Sequence, residues 1–491
     1  MPDVNRRGLL RGAAVVAGGA VLGGPFLGFV ARDAAGAAGR RPRPRPSLGP
    51  VPDLRDGAVR LWLPDGFAYR SFHDTESPVV LDDGTDLPGR HDGMGAFRGP
   101  GGTVRLVRNH EVNNPGPAFG DAAQAYDPMA QGGTTTVEVT RSGVVRRAWT
   151  SLNGTMMNCS GGRMPWGSWI SCEETVNGPD VGPDFTGASN VPLTRPHGFV
   201  FEVPADGRSD RQPVTAAGRF AHESVAYDPR GGHLYLTEDN FGFPSGFYRY
   251  TPPEDPMRTG RLADGGRLQM LAVRGRPNRD LAAGQRRHAT YPVEWVDIDD
   301  PAPTFPYTPG ETAPTSNDTA LTYVARQGWS RGAAYFSRLE GAVYDDGVVY
   351  FTATQGGGPA EPSTGPVADG YGNGHGQVWA YDCRAGVLRL VYESPGPDVL
   401  DFPDNVTTSP RGTLVVCEDN AADNFIRGLT PRGELFDIAL NRLTSSTGVD
   451  RSNDEFAGST FSPDGHTLFV NIQASRGMTF AIWGDWAGIG V

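Results

Sequence analysis

Acidic side chains recur at two kinds of position in this chain, and together they could bind metal ions. The first kind closes a short apolar run that follows a glycine-containing turn. Its candidates are Glu111, Glu173, Glu174, Glu238 and Glu418. Carboxylate oxygens are the ligands that hard cations such as Ca²⁺ prefer. Asp, Glu and Asn also end strands and cap turns, so any single copy has this simpler interpretation.

The second kind of position lies six residues before the residue that opens the turn. Four copies share this spacing, and they place Cys159, Glu223, Glu340 and Asp404 in matched register. In the first and last copies the corresponding acids, Asp92 and Glu455, lie eight residues back, which predicts a looser register there. Turn chemistry does not require glutamate inside an apolar strand, where an unpaired charge is costly. The set as a whole therefore favours a common cation site.

Cys159 is the one sulfur at these positions, and it stands where other copies carry glutamate. A thiolate among hard oxygen ligands suits iron better than calcium or magnesium. The alternatives are a core cysteine or a disulfide. Cys172 and Cys417 occupy equivalent strand positions and are interpreted as small buried hydrophobic residues. The chain has no C-x-x-C motif, so a zinc ribbon or redox motif is absent.

The elements that must position these residues are six similar strands. Each begins at a turn, continues with β-branched or aromatic residues, and reads as a buried strand. The stretches span residues 101–111, 166–174, 232–240, 347–354, 412–420 and 465–471. Repetition of one unit along the chain predicts a radial all-β fold, a β-propeller, in which the inner strands of all blades line a central channel. The stretch Trp62 to Tyr69 is predicted to open the fold and to close the ring with the C-terminus.

Composition excludes several classes of chemistry. All 44 basic residues are arginine, so Walker-type phosphate loops, Schiff bases and Ser–Lys nucleophile pairs are excluded. There is no G-x-S-x-G nucleophile elbow either. The net charge is −12, and the body is more acidic still because eight arginines lie in residues 1–45. This balance argues against a nucleic-acid partner and suits a protein that gathers cations.

The N-terminus predicts export. Residues 1–37 contain the twin-arginine sequence Asn5-Arg6-Arg7-Gly8-Leu9-Leu10-Arg11, a weakly apolar stretch and a cleavage-like region of small residues. We expect delivery by the twin-arginine translocation machinery to the periplasm, the cell surface or the medium. The alternative is an uncleaved anchor, and no other segment could span a membrane. Residues 38–50 form an Arg/Pro linker, which is expected to be stiff and extended.

Residues 51–491 are predicted to form a single propeller domain with long insertions between its strands. The spacing of the repeats expands around residues 251–320, which predicts an irregular insertion or a subdomain over one face. A second long segment, residues 355–376, is rich in Gly and Pro. Loops of this length are often lids or binding loops, although surface excursions are an equal alternative.

Several of these motifs resemble the PhoX family of exported alkaline phosphatases. They are the twin-arginine leader, Arg108-Asn109-His110-Glu111, Gly132-Gly133-Thr134-Thr135, Asn158-Cys159-Ser160-Gly161-Gly162, Pro165-Trp166-Gly167, Cys172-Glu173-Glu174 and Arg338-Leu339-Glu340-Gly341. The likeness runs from about Leu61 to the C-terminus. It implies a six-bladed β-propeller whose channel holds two Fe³⁺ ions and up to three Ca²⁺ ions.

Carried over motif by motif, the resemblance implies a set of residue roles. Cys159 would bind iron, with Glu340 and either Glu223 or Glu238 as carboxylate partners. Oxygen ligands, mostly to calcium, would be Glu111, Glu173, Glu174 and Glu418. Arg338 would clamp the phosphate, its alternative being an ion pair with a neighbouring acid. The catalytic set is then Arg338, Cys159 and Glu340.

The sequence therefore predicts an exported metal-dependent phosphatase that hydrolyses small phosphate esters, phosphomonoesters above all. Clustered cations serve this chemistry without a covalent protein nucleophile. One alternative is a calcium-dependent propeller lactonase or esterase, which would need no thiolate. Another is a non-catalytic exported propeller that binds ligands on its loops. The fourth repeat ends in Thr354 where others end in acids. A site with fewer metal ions or with a different substrate is therefore a further alternative.

Overall fold

The computed structural model describes residues 47–430, 433–474 and 476–491. The predicted export signal and most of the predicted linker lie outside these residues. Three strands precede the first repeat: β1 (Leu48–Pro52), β2 (Val59–Pro64) and β3 (Ala68–Phe72). Strand β1 pairs with β2, so folded structure begins slightly earlier than the predicted start at Val51.

Each repeat folds into an antiparallel blade, and the first three blades follow one another directly. Blade 1 contains β4 (His91–Arg98), β5 (Val104–His110), β6 (Gly132–Val139) and β7 (Val145–Thr155). Blade 2 contains β8 (Asn158–Arg163), β9 (Ser168–Glu173) and β10 (Val200–Pro204). Blade 3 contains β11 (His222–Asp228), β12 (His233–Glu238), β13 (Phe247–Thr251) and β14 (Arg267–Val273).

A bridging strand and three further blades complete the fold. The bridging strand is β15 (Thr290–Asp297). Blade 4 contains β16 (Leu339–Asp345), β17 (Val348–Ala353), β18 (Gln377–Asp382) and β19 (Val387–Glu393). Blade 5 contains β20 (Pro403–Thr408), β21 (Leu414–Glu418), β22 (Phe425–Leu429) and β23 (Leu435–Asn441). Blade 6 contains β24 (Phe456–Phe461), β25 (Thr467–Ile472) and β26 (Met478–Trp483).

The blades belong to five hydrogen-bonded sheets because β15 pairs with both β14 and β19 and so joins blades 3 and 4 into one nine-stranded sheet. Strands β1 and β2 extend blade 5 through pairing of β2 with β23. Strand β3 pairs with β26 and becomes the fourth strand of blade 6. The N-terminal part of the chain thus closes the ring against the last strand, which removes an open edge. The predicted all-β propeller is confirmed.

The hydrophobic core lies between the blades. Six large clusters of buried residues each join two neighbouring blades, including the pair formed by blades 6 and 1. Strand β12 illustrates the cause: Leu234 and Leu236 pack toward blade 2, whereas Tyr235 packs toward blade 4. Both faces of a second strand are buried, which explains the continuous apolar runs in the sequence.

The expanded region between the third and fourth repeats contains β14, β15 and three short helices. These are α1 (Pro256–Thr259), α2 (Asn317–Leu321) and α3 (Tyr323–Ser330). A fourth helix, α4 (Trp486–Ile489), ends the chain, and single 3₁₀ turns cover Pro100–Gly102, Ala122–Gln124 and Thr215–Ala217. None of the helices that the structure describes has the length and apolar character needed to cross a membrane.

Arg219 fastens this expanded region to blade 2. Its guanidinium is buried and donates hydrogen bonds to both carboxylate oxygens of Asp180, at 2.7 and 2.8 Å. It also donates to the carbonyl oxygens of Val176, His197 and Pro303, at distances between 2.9 and 3.1 Å. A single buried cation therefore holds three separate segments together.

We expect Arg219→Ala to lower the free energy of unfolding by about 3–5 kcal/mol, because it leaves the Asp180 carboxylate buried without its partner. Denaturant-induced unfolding measures the change. The control is Arg230→Ala, which removes an exposed ion pair with Asp346 and should leave the unfolding transition almost unchanged. Equal losses in the two variants would contradict the fastening role.

Candidate active site

One backbone hydrogen bond repeats in all six blades and defines which positions are equivalent. In each blade, the N–H of the residue after the second strand donates to the carbonyl of the residue before the innermost strand. The donor–acceptor pairs, at 2.9–3.2 Å, are Glu111–Arg90, Glu174–Met157, Asp239–Ala221, Thr354–Arg338, Asp419–Phe402 and Gln473–Glu455. This bond holds the polar end of the second strand beside the start of the innermost strand.

Two rings of side chains follow from this geometry. The first ring consists of the second residue of each innermost strand: Asp92, Cys159, Glu223, Glu340, Asp404 and Ala457. The second ring consists of the residue after each second strand: Glu111, Glu174, Asp239, Thr354, Asp419 and Gln473. Most members of both rings are acidic.

The register of the first and last copies differs from the prediction. Asp92 lies in the same register as Cys159 and the other first-ring residues, because a 3₁₀ turn at Pro100–Gly102 only lengthens its hairpin. Blade 6 instead has Ala457 at this position. Glu455 precedes its strand and is equivalent to Arg338, as the repeated hydrogen bond shows.

A β-bulge turns the first-ring side chains inward. The pairing of the innermost strand with the second strand shifts register in every blade: the shift encloses the first-ring residue in blades 1 to 5 and directly follows Ala457 in blade 6. Bulges re-aim side chains in this way at functional sites. This is why an apolar strand can carry a glutamate that does not enter the hydrophobic core.

Neighbouring blades fix the backbone of the first ring. Thr237 Oγ1 on blade 3 donates to the carbonyl of Glu340 on blade 4 at 2.6 Å. Thr352 Oγ1 repeats the contact from blade 4 to Asp404 on blade 5 at 2.6 Å. Asn109 Nδ2 on blade 1 donates to the carbonyl of Cys159 at 3.0 Å. The ring is therefore held in place before any ligand binds.

All residues of the two rings except Ala457 and Thr354 line one cavity of about 1540 Å³. Cys159, Glu174 and Glu223 each offer a ligand atom, and these atoms lie within 4.8 Å of one another. Glu223, Glu340 and Asp404 form a second group with the same spacing. Glu223 belongs to both groups and so stands at the centre of the cluster.

Burial and mutual repulsion oppose ionisation of these carboxyl groups. Burial raises the pKa of Glu223 well above its usual value, and the nearby charges of Glu340 and Glu174 raise it further. The pKa of Glu340 is raised in the same way, and that of Asp404 rises to about 7. Burial also raises the pKa of the Cys159 thiol, which donates to the carbonyl of His222 at 3.2 Å. A cluster of this kind is neutralised either by protons or by bound cations.

Arg338 is a cation at the edge of the cluster. Its Nε and Nη2 donate to the two carboxylate oxygens of Asp239 at 3.2 and 2.6 Å, and Nη2 also lies 3.0 Å from Glu340 Oε1. Burial by itself would lower the pKa of Arg338, but Asp239 and Glu340 outweigh it and raise that pKa. The predicted ion pair with a neighbouring acid is present, and the guanidinium also lines the cavity.

Arg90 and Arg338 occupy equivalent positions, and both have left-handed backbone conformations, with φ of 46° and 34°. Met157 and Phe402, at the same position in two other blades, share this conformation with φ of 48° and 51°. Non-glycine residues adopt it rarely, and such strain is concentrated at functional sites. The repeated turn carries the two arginine side chains into the cavity wall.

Three predicted metal ligands do not reach the cavity. Glu173 accepts hydrogen bonds from Gly198 N and Phe199 N, and Glu238 accepts from Gly246 N and Tyr248 Oη. Glu418 accepts from Asp401 N, Phe425 N and Arg427 Nε. Each is the last residue of its strand, and a shift of one residue moves a side chain to the opposite face. These three carboxylates therefore lie outside the cavity that the other predicted site residues line.

The other predicted site residues do come together. Glu111, Cys159, Glu174, Glu223, Arg338 and Glu340 all line the cavity. Between the predicted alternatives, Glu223 lines the cavity and Glu238 does not. That these side chains bind metal stays a prediction.

Several cavity residues were absent from the predicted site. Asp239 and Asp419 each follow a glutamate that was predicted in their place, and Arg90 and Gln473 also line the cavity. The available signal was the pair of acids at the end of three second strands, Glu173-Glu174, Glu238-Asp239 and Glu418-Asp419. Only the register of the strand decides which acid of a pair faces the channel.

Comparison with family models gives a match over most of the chain. A model described as alkaline phosphatase PhoX matches residues 47–475. The solved structure of Pseudomonas fluorescens PhoX in complex with vanadate, a transition state analogue, is 18% identical with a TM-score of 0.62, covering 92% of this chain and 99% of that chain. A search of the curated proteins gave no match.

Two other solved structures are more distant. The gluconolactonase XC5397 of Xanthomonas campestris is 12% identical with a TM-score of 0.38, covering 90% of this chain and all of that chain. The virginiamycin B lyase of Staphylococcus aureus with quinupristin is 11% identical with a TM-score of 0.37, covering 85% of this chain and 99% of that chain.

Proposed function

This chain belongs to the PhoX alkaline phosphatase family, and we propose that it hydrolyses phosphomonoesters in the propeller cavity with the help of bound cations. The observation that carries the proposal is the convergence of acids from different blades, together with the Cys159 thiol and the Arg338 guanidinium, on a single space. Membership of the family gives the phosphatase activity. The metals, the export and the ester class belong to the proposal.

The donor set fits several cations. The acids that line the cavity in or beside the two rings are Asp92, Glu111, Glu174, Glu223, Asp239, Glu340, Asp404, Asp419 and Glu455. Burial raises the pKa of most of these acids, Asp92 and Glu455 included. Repulsion from neighbouring carboxylates raises the pKa further in six of them: Asp92, Glu174, Glu223, Glu340, Asp404 and Glu455. Divalent and trivalent cations would relieve that repulsion and allow the carboxylates to ionise.

The metals are assigned by ligand chemistry. Cys159, Glu174, Glu223, Glu340 and Asp404 would hold iron, because this set includes the thiolate, which is a soft ligand. The remaining acids of the two rings offer only oxygen, which is the ligand of calcium. Two Fe³⁺ and up to three Ca²⁺ ions are proposed. When bound, such cations neutralise charge on phosphoryl oxygens and ease deprotonation of the attacking water.

The protein's own groups position the ester. Arg338 presents a planar guanidinium beside the cluster, and Asp239 holds its orientation through two hydrogen bonds. Its Nη1 makes no hydrogen bond to any residue that the structure describes, and so it is available to a phosphoryl oxygen. Charge develops on these oxygens in the transition state, and a fixed donor stabilises it there.

We propose that the mature protein acts outside the cytoplasm, in the periplasm, at the cell surface or in the medium. The twin-arginine sequence in residues 1–37 supports this location, because that route exports proteins that have already folded. Its partner in transit would be the twin-arginine translocation machinery.

The proposal is tested by hydrolysis of a chromogenic phosphomonoester with added Ca²⁺, before and after chelation, together with metal analysis of the same sample. We expect activity that depends on cations, and iron in the purified protein. Bound calcium without turnover of any phosphate ester would favour a non-catalytic binding protein instead.

Cys159→Ala tests the iron assignment. We expect the variant to lose most of its iron and most of its activity, because the thiolate is the one soft ligand of the set. Metal analysis and the rate are measured on one preparation. A Cys159→Ala protein with full iron content and full rate would remove the assignment.

Arg338→Lys tests the phosphate clamp. We expect kcat/KM to fall by about 10²-fold, because an ammonium group cannot reproduce a two-point contact with planar geometry. Inhibition by inorganic phosphate should weaken in parallel. Arg60→Lys is the matched control, since Arg60 also binds a carboxylate, Asp56, through two nitrogens but lies outside the cavity. A similar loss in both variants would argue against a specific role for Arg338.

A further inference from the structure

On the side of blades 2 to 4, the lining of the cavity mouth includes five apolar residues, which we call the apolar wall: Phe185, Phe241, Phe243, Leu321 and Val367. The same segments also contribute the polar lining residues Asp184, Ser316, Asn317 and Asp318. Phe185 lies between β9 and β10, Phe241 and Phe243 between β12 and β13, Leu321 ends α2, and Val367 lies between β17 and β18. The wall is therefore built entirely from insertions on the side of blades 2 to 4.

Phe241 presents an aromatic face to the cavity. It is 51% exposed, whereas its neighbour Phe243 is buried and anchors the same loop. Exposed aromatic rings that line a concave site commonly mark ligand contacts.

The wall is preformed. Val367 N donates to the carbonyl of Gly242 at 2.9 Å, and Tyr371 N donates to the carbonyl of Phe241 at 2.7 Å. These two bonds attach the Gly- and Pro-rich segment 355–376 to the loop that carries Phe241. Because the wall is already ordered, a ligand that packs on it gains contact without a large ordering cost.

The Phe241 ring lies next to the proposed phosphate position. The guanidinium carbon of Arg338 is 5.1 Å from the centre of the Phe241 ring. Asp239, which orients Arg338, lies two residues before Phe241 on the same loop. A phosphoryl group bound by Arg338 would therefore place the first atoms of its ester group beside an aromatic face.

The opposite side of the mouth has a different chemistry. Its lining residues are mostly charged or polar and include Glu76, Thr447, Asp450, Arg451, Asp454 and Arg476. They come from the connection between blades 5 and 6 and from the segments beside it. An uncharged, flat organic group gains more by packing on the apolar wall than by facing these solvated charges.

We infer that Phe241 is a specificity-determining residue, and that the site favours phosphomonoesters whose alcohol carries an uncharged aromatic ring close to the ester oxygen. The inference rests on the proposed function, since it assumes that the phosphoryl group is bound beside Arg338. It adds the class of alcohol, and it gives the loop between β12 and β13 and the segment 355–376 a role in substrate selection.

The test compares two substrates with similar leaving groups, 2-phenylethyl phosphate and ethyl phosphate, in the metal-loaded protein. Both release a primary alcohol, so a difference in kcat/KM reports contacts with the ring. We expect the wild-type protein to favour the phenyl substrate, and Phe241→Ala to reduce that preference by about tenfold, the effect of one aromatic pair. Phe241→Leu keeps an apolar side chain but has no flat ring, so its preference for the phenyl substrate should lie between those of the wild-type protein and Phe241→Ala.

Tyr307→Ala is the matched control, because Tyr307 is an aromatic residue of similar exposure (45%) that does not line the cavity. The Tyr307→Ala protein should prefer 2-phenylethyl phosphate over ethyl phosphate to the same extent as the wild-type protein. An unchanged preference in Phe241→Ala, with measurable rates on both esters, would overturn the inference while leaving the proposed function in place.

Inhibition or direct binding by phenylphosphonate and methylphosphonate provides a second readout that does not require turnover. We expect phenylphosphonate to bind more tightly to the wild-type protein, and the difference to disappear in Phe241→Ala. If no phosphate ester is hydrolysed, the proposed function fails, and the phosphonate comparison still decides the role of Phe241. Equal binding of both phosphonates to the wild-type protein would overturn the inference.

Discussion

Glu223→Gln is expected to lower kcat/KM for a phosphomonoester by about 10³-fold, because removal of one cation ligand forfeits several kcal/mol of transition-state stabilisation. Glu223 belongs to both groups of potential ligands, so its amide would weaken the whole cluster. Steady-state kinetics and metal analysis on the same preparation measure the effect. We expect iron content to fall together with the rate.

The same substitution should stabilise the metal-free protein. Burial and the charges of Glu340 and Glu174 raise the pKa of Glu223, so ionisation of this group is unfavourable in the folded state. A neutral amide of similar shape removes that repulsion. Denaturant unfolding after chelation should therefore give a free energy of unfolding equal to or higher than that of the wild-type protein. If Glu223 instead had a structural role that requires no cation, the substitution would lower the free energy of unfolding.

Glu238→Gln is the matched control for this experiment. Glu238 is also a buried glutamate, and burial raises its pKa to about 8, but it faces the interior of blade 3. We expect this variant to retain its metals and its rate. A large loss of activity in Glu238→Gln with little loss in Glu223→Gln would contradict the assignment of the two residues.

Removal of the cations is expected to make stability strongly dependent on pH. In the metal-free protein the pKa of Asp404 rises from 3.8 to about 7, first because of burial and then because of repulsion from Asp419. A carboxyl group whose pKa is higher in the folded protein than in the unfolded chain contributes its full stability at a pH below the unfolded-state pKa. That contribution is lost as the pH rises through the folded-state pKa. Between pH 4 and 7 the chelated protein should lose on the order of 4 kcal/mol from this group alone.

Thermal unfolding at several pH values, with and without chelator, measures this effect. With saturating Ca²⁺ and iron, the same carboxylates are neutralised by cations, and the free energy of unfolding should change little between pH 4 and 7. The added stability in the loaded protein amounts to about 4 kcal/mol for a cation at a thousand times its dissociation constant. A chelated protein whose melting temperature does not fall between pH 4 and 7 would contradict a repulsive cluster.

The repeat, the strands and the closure of the ring could be predicted from the sequence because they depend on local patterns. A turn followed by β-branched and aromatic residues needs no knowledge of distant contacts. The six predicted second strands correspond to β5, β9, β12, β17, β21 and β25. The predicted opening stretch includes the start of β3, which pairs with the last strand, β26.

The site could be predicted only to within one residue. Of the predicted residues, Glu174 and Glu223 line the cavity, whereas Glu238 and Glu418 do not and Asp239 and Asp419 line it instead. Neighbouring residues of a strand point to opposite faces, and the sequence does not say where the strand ends. The bulges at the first ring add a second irregularity, because the alternation of side chains between the two faces of a strand breaks down there.

For the side of the mouth that we assign to substrate selection, the sequence predicted no more than a candidate binding loop. Phe241 and Phe185 lie in connections without periodicity, and their approach to the cavity depends on contacts between blades 2, 3 and 4. The long segment 355–376 was a candidate binding loop on its length alone. Its attachment to the backbone of Phe241 and Gly242 appears only in three dimensions.

The most direct test of the account is anomalous X-ray diffraction at the iron edge from crystals of the metal-loaded protein. We expect an iron peak bonded to Cys159 Sγ, with carboxylates from at least two further blades, Glu223 and Glu340 among them, around the same cluster. An iron peak outside this cavity, or a cavity that binds no cation in active protein, would contradict it.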